Sequence, residues 1–269
     1  MDYSNLVTKG YLIIRSFLSE REIAVFKTDY EIQKNLKFSQ NENNYDIIPT
    51  TAHNYILNKL DEMMGLVRYK TGVVIHILIS PSYYYNNIES ARLYYHQDHE
   101  SFYLLQQNYH YLNFWIPVSK PSPAHSGLIV VPMDKLAELI PDYMHKIINN
   151  GATSYYPEGD ITRVVNDNDD SEYVLPVNIT TIQEIPELHE GDLLLMRGDL
   201  IHSTEDNLTN RTAISIRYTN GSLPISRELF FSGGKKKQEI LNGTPHLIEL
   251  VNSRFDDRNV EVMTAWDFF

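Results

Sequence analysis

In the stretch YYHQDHES, residues 94–101, His96 and Asp98 stand two positions apart. On a strand, side chains alternate between faces, so these two share a face and Gln97 turns to the other. The pair can offer one imidazole nitrogen and one carboxylate oxygen to a single cation. Alone it reads equally as an acid/base pair or a polar turn, so a third donor decides. The chain has no cysteine, which removes disulfides, thiolate zinc sites, iron–sulfur clusters and Cys nucleophiles and leaves His and carboxylates as metal donors. His99 falls on the face opposite His96 and Asp98. His53 and His76 have no donor nearby, and His110, His125, His145, His189 and His246 lie in polar or amphipathic surroundings. His202 is different: Gly191 and Asp192 make a turn, Leu193 to Met196 a short apolar strand, and Gly198 a second turn that delivers it. Two histidines and one carboxylate form the facial triad of a non-haem Fe(II) oxygenase, with three positions left for co-substrate and O2.

Oxygen activation at such a centre needs a two-electron reductant, usually 2-oxoglutarate, whose distal C5 carboxylate asks for a bidentate arginine. Downstream of His202, the run RTAISIRYTN places Arg211, Ala213, Ser215 and Arg217 on one face and Thr212, Ile214, Ile216 and Tyr218 on the other. One face is polar and the other apolar, the pattern of a barrel strand whose interior binds an anion. Arg211, just after His202, is the co-substrate candidate.

The elements that position these residues follow from periodicity. The runs TGVVIHILIS, ARLYYHQD, YHYLNFWIPV, SGLIVVP, NITTIQEI, GDLLLM and RTAISIRYTN are short, rich in β-branched and aromatic residues, and bounded by turn formers. Ser19 with Glu22 opens a helix with a capping box; a second helix begins at Thr51 and closes at Gly65; a third begins at Met133, breaks near Pro141 and closes at Gly151. Strands outnumber helices and do not alternate with them, which predicts a mainly β fold with flanking helices, a double-stranded β-helix or cupin-like jelly roll. The polar segment 155–176 reads as a flap, an insertion or a solvated loop, and the basic run GGKKKQ as a solvated loop.

The chain has 269 residues and a formal charge of -12, which disfavours a nucleic-acid partner. No basic leader with an apolar run begins the chain and no stretch is long enough to span a bilayer, so a cytoplasmic, membrane-free protein acting on a small molecule is expected. No pattern bears on oligomeric state.

Over most of its first 220 residues the chain resembles the phytanoyl-CoA dioxygenase (PhyH-like) family of Fe(II)/2-oxoglutarate oxygenases. The resemblance rests on KGYLIIRSFLSEREI, on HQD at 96–98, on FWIPVSKPSPAHSGLIVVP, and on GDLLLMRGDLIHSTEDNLTNRTAIS. It implies His96, Asp98 and His202 as iron ligands, Arg211 as the C5-carboxylate partner and Thr204 as its hydroxyl helper. Gln97, Asn113 and Trp115 become further pocket residues, and Arg217 a residue facing substrate or co-substrate. Two departures are VPMDKL, where the family has a Pro-Gly-Ser-His turn, and a turn from His202 to Arg211 shorter by about two residues than the family's. One oxygenase domain over 1–269 is expected, with residues 223–269 an extension outside the resemblance.

The implied reaction is oxidative decarboxylation of 2-oxoglutarate coupled to hydroxylation of a substrate C–H bond. Retention of Asp98 opposes halogenation, for which the family's halogenases replace that carboxylate with a small residue. Desaturation and cyclisation by the same centre stay open. The competing classes are a catalytically silent jelly roll that binds a metal or anion, and a zinc hydrolase on the same ligands, which leaves Arg211 without a role.

Overall fold

A computed structural model describes residues 2–38, 51–73, 77–86, 94–106, 111–125, 127–205 and 209–268. The strands are β1 (Tyr11–Ile14), β2 (Ile77–Asn86), β3 (Tyr111–Ser119), β4 (Leu128–Val130), β5 (Thr153–Glu158), β6 (Ile161–Asn166), β7 (Ser171–Leu175), β8 (Leu193–Arg197), β9 (His202–Thr204), β10 (Arg211–Thr219), β11 (Pro224–Ser226) and β12 (Val262–Thr264). The helices are α1 (Ser4–Thr8), α2 (Glu20–Phe38), α3 (Thr51–Thr71), α4 (Glu100–Leu105), α5 (Met133–Leu139), α6 (Met144–Ile147), α7 (Arg227–Phe231), α8 (Lys235–Asn242), α9 (Pro245–Arg258) and α10 (Ala265–Phe268).

The major sheet has the antiparallel order β1-β8-β3-β10-β2. Facing it, β4 pairs with β9, while β5, β6 and β7 form a meander. The segment around His96 joins the two, bridging His202 on one side and Ser154 on the other. The result is a jelly roll whose smaller sheet is closed by a metal-ligand candidate.

Strands β1, β3, β8 and β10 bury both faces, which explains why they read as nearly continuous apolar runs. Leu12, Ile14, Leu112, Phe114, Ile116, Leu193, Leu195, Ile214 and Ile216 pack outward against α2 and α3, in one cluster with Phe26, Ile56 and Leu60. The alternate residues Tyr11, Ile13, Leu194, Met196 and Trp115 point inward and share a cluster with Ile129 and Val130 of the smaller sheet. Burial at about 25 cal/mol per Å² of apolar surface on both sides fixes the register, because a one-residue slip would exchange the two sets.

The capping box at α2 forms as the spacing predicts: Ser19 N–H donates to the Glu22 carboxylate at 2.7 Å, and Glu22 N–H to the Ser19 hydroxyl at 3.3 Å. The break at Pro141 is also present, as a 3-10 turn over Pro141–Tyr143 between α5 and α6. Other expectations are corrected. Helix α3 does not close at Gly65; its apolar stripe continues through Val67, and the chain turns at Gly72, whose φ of 73° is left-handed. NITTIQEI is not a strand but a 3-10 turn over Ile179–Thr181, because the Asn178 side chain accepts from Thr180 N–H and the backbone follows that local bond. Residues 155–176 are not a solvated loop; they are most of the meander β5-β6-β7.

GGKKKQ is not a solvated loop either, for it opens α8. The Asp170 carboxylate, on the β6–β7 turn, accepts from the N–H groups of Lys235 at 2.6 Å and Lys236 at 3.1 Å. Lys237 is buried, its ammonium donating to Leu229 O at 2.7 Å and lying 5.0 Å from the centre of the Tyr103 ring. Residues 223–268 thereby form a helical layer whose apolar cluster includes Phe230, Leu241, Val251, Phe255 and Phe268, together with Tyr103, Leu104 and Tyr111. No described helix is long and apolar enough to cross a membrane. His76, His110, Asn207 and residues 91–93 of ARLYYHQD lie outside the described residues.

Candidate metal centre and co-substrate pocket

Backbone pairing brings the three ligand candidates together. His96 N–H donates to His202 O at 2.9 Å and His202 N–H returns to His96 O at 3.0 Å, so the two residues oppose each other across a strand pair. Their rings lie 4.4 Å apart, centre to centre. Asp98, two residues on, is fixed by its carbonyl, which accepts from Ala152 N–H at 3.0 Å. One donor atom from each of His96, Asp98 and His202 lies within 4.8 Å of the others.

Orientation is set from behind. His96 Nδ1 is 2.6 Å from Tyr94 O, and His202 Nδ1 is 2.9 Å from Leu200 O. A carbonyl only accepts, so each Nδ1 carries the proton and each Nε2 presents a lone pair, the tautomer a metal requires. The two Nε2 atoms stand 3.9 and 3.5 Å from Asp98 Oδ1. Burial, then the neighbouring His202, pushes the His96 imidazole pKa well down and keeps it neutral. Burial alone would raise the Asp98 carboxyl, but Arg217, then His202 and His96, with the Tyr111 hydroxyl, outweigh it and hold it at about 2. Two imidazoles that turn Nε2 toward an ionised carboxylate are a donor set fitted to a divalent transition ion.

The inner face of the major sheet lies beside this centre. Asn113 and Trp115 both lie on it; Asn113 Oδ1 accepts from the Ser215 hydroxyl at 2.6 Å, and Trp115 tilts against Tyr84 with ring centres 5.3 Å apart. Thr204 is buried on β9, paired with Leu128 through the backbone. Arg211, also buried, crosses from the major sheet to the smaller one, its Nη1 donating to Gly127 O at 2.8 Å. Arg217 lies at the other end of the same strand face, with Nε 3.8 Å from Asp98 Oδ2. Six residues at roughly 3.3 Å each separate the two arginine backbones by about 20 Å.

Gln97 stands apart from the other pocket candidates. It is wholly buried on the far side of the segment, its amide donating to Ile147 O at 2.9 Å and Asp199 O at 2.6 Å. The expectation that it lines the pocket is corrected by strand alternation itself, which makes it a tie between the ligand segment, α6 and the turn before His202.

Three residues near the centre carry no role in the sequence reading. His99 is not isolated from it: its ring stacks on His96 at 5.9 Å and 19°, and its Nε2 is 2.6 Å from the buried Asp167 carboxylate, which also accepts from Ser154. Tyr111 donates its hydroxyl proton to Asp98 Oδ2 at 2.6 Å. Tyr84 accepts from Arg217 Nη2 at 2.9 Å. Tyr111 was within reach of the sequence, since alternation from Asn113 puts it on the same inner face; His99 was not, because the described part of ARLYYHQD is no strand but a segment with isolated bridges at His96, and the chain enters α4 after Asp98.

Residues 6–215 match the family described as phytanoyl-CoA dioxygenase (PhyH). No curated protein matches the chain. Among solved structures, EctD from S. alaskensis with 2-oxoglutarate and 5-hydroxyectoine is 13% identical, with a TM-score of 0.54, covering 83% of this chain and 76% of its own. The 2-oxoglutarate-dependent carbocyclase SnoK from nogalamycin biosynthesis is 15% identical, with a TM-score of 0.51, covering 83% and 85%. HygX from Streptomyces hygroscopicus, with nickel and 2-oxoglutarate bound, is 16% identical, with a TM-score of 0.51, covering 81% and 86%. At these identities the likeness is one of fold.

Proposed function

The chain belongs to the phytanoyl-CoA dioxygenase (PhyH) family of iron/2-oxoglutarate oxygenases, and on that premise we propose that it hydroxylates a C–H bond of a small molecule. The substrate, O2 and 2-oxoglutarate become the alcohol, succinate and CO2. His96, Asp98 and His202 hold Fe(II), which supplies the oxygen chemistry when bound. The observation that carries this reading is the convergence of His96 Nε2, His202 Nε2 and Asp98 Oδ1 with both Nδ1 protons tied to carbonyls. A jelly roll that binds only an anion has no need of that tautomer control, and neither a silent metal-binding jelly roll nor a zinc hydrolase has need of a buried Arg211.

The chain's own contribution is geometric and electrostatic. Arg211 takes the C5 carboxylate of 2-oxoglutarate, with Thr204 beside it on β9. Asn113, which is buried, and Trp115, which is partly buried, line the wall between that anchor and the metal and help keep bulk water from the reacting atoms. The C-terminal layer and the meander complete one catalytic domain with the jelly roll.

The test is turnover with Fe(II), 2-oxoglutarate and 18O2 against a library of small metabolites. Hydroxylation predicts succinate in step with a product heavier by one labelled oxygen. A product lighter by two hydrogens, formed with succinate but without label, would replace hydroxylation by desaturation or cyclisation.

A further inference from the structure

We propose that Tyr111 and Arg217 are positioning residues that restrict Asp98 to one-oxygen contact with the metal. The inference rests on the metal reading above. Asp98 Oδ1 faces the two Nε2 atoms, while Oδ2 is turned to Tyr111 and Arg217. The proton order is fixed by chemistry. A guanidinium has no acceptor, so the Tyr111 oxygen accepts from Arg217 Nε and its single proton goes to Asp98 Oδ2, at 2.6 Å. Arg217 is itself held, donating from Nη2 to the Tyr84 hydroxyl at 2.9 Å, with its guanidinium carbon 5.7 Å from the centre of the Tyr84 ring. An oxygen that already accepts a short charge-assisted bond does not also bind a metal at full strength. Arg217 therefore faces the ligand carboxylate instead of substrate.

The consequence is coordinative. A carboxylate bound through both oxygens would occupy a fourth position of a six-coordinate ion. Held to one oxygen, it leaves three, the number that a chelating co-substrate and O2 together require.

Two features seat the lock. A Cβ built on Gly198 would lie 1.9 Å from Tyr111 Cδ1, so the turn before His202 admits the Tyr111 ring only because residue 198 is glycine. Tyr111 also belongs to the apolar cluster that contains Phe230, Phe255 and Phe268, so the C-terminal layer, which follows the family match ending at residue 215, backs the residue that orients Asp98.

The experiment is anaerobic titration of the metal-stripped protein with Co(II), whose d–d bands report coordination number without turnover. Tyr111→Phe keeps the ring in its seat and removes the proton on Oδ2 together with the oxygen that accepts from Arg217 Nε. The expected result is a changed Co(II) spectrum and an affinity about tenfold weaker. Gly198→Ala, which displaces the ring, and Arg217→Met should give the same spectral change, and the Tyr111→Phe/Arg217→Met pair no more than either alone, because both act on one oxygen. A Tyr111→Phe protein whose Co(II) spectrum superimposes on the parent's overturns the proposal. A parent that binds no Co(II) overturns the metal reading instead.

Discussion

Asp98→Ala should abolish turnover and weaken divalent-metal binding by more than about 100-fold, exceeding what loss of a mere supporting hydrogen bond costs. The change removes the one carboxylate of the three donors and leaves two imidazoles. It should also destabilise the metal-free protein, which distinguishes Asp98 from the histidines. Arg217 lies 3.8 Å from Oδ2, and both side chains are only 12–13% exposed. Stranding that guanidinium costs roughly 3 kcal/mol, readable as a shift in the urea midpoint. Acid should imitate the loss. The folded pKa, about 2, lies below the ordinary 3.8, so the contribution is complete above about pH 4 and fades as pH falls towards 2. His96→Ala should lose the metal yet keep the Asp98 contribution, because the Asp98–Arg217 contact is untouched.

Arg211→Leu is expected to weaken 2-oxoglutarate binding by about 100-fold, or ~3 kcal/mol, the value of a bidentate charge-assisted contact to a carboxylate. Co(II) binding in the absence of 2-oxoglutarate should stay near the parent value. The fold tolerates the change for a specific reason. The Gly127 carbonyl that Arg211 contacts also accepts from Glu205 N–H at 3.2 Å, so truncation does not orphan a buried acceptor. Calorimetric titration of the Mn(II)-loaded protein with 2-oxoglutarate separates the two effects. If Arg217→Met loses 2-oxoglutarate binding while Arg211→Leu retains it, the ends of the co-substrate are reversed along β10.

What the sequence makes legible here is what strand alternation and local capping control. His96 with Asp98, Gln97 behind them, and the polar face of Arg211 to Arg217 all follow from a period of two. The capping box at Ser19 follows from a spacing of three. What stays hidden depends on partners distant in sequence. The β6–β7 turn, NDNDDS, and the run GGKKKQ each look like solvated charge, yet Asp170 caps α8 across 65 residues and orders both. Gly65 looks like a helix stop because glycine usually ends a helix, but tertiary burial of Val67 carries α3 past it. Gly198 looks like a turn residue, whereas its requirement comes from a tyrosine 87 positions earlier whose ring it must admit. His99 could be excluded as a same-face ligand by alternation, but its stacking on His96 needed the start of α4 to be placed.

Visible absorption during anaerobic addition of Fe(II) and then 2-oxoglutarate tests most directly whether this chain assembles an iron site with a 2-oxoglutarate anchor. Chelation of the keto acid by Fe(II) gives a weak metal-to-ligand charge-transfer band that needs no substrate and no oxygen. The parent protein should develop the band, His96→Ala should not, and Arg211→Leu should develop it only at about 100-fold higher 2-oxoglutarate. A parent protein with no band, or a band equally present in His96→Ala and Arg211→Leu, would contradict the assignment.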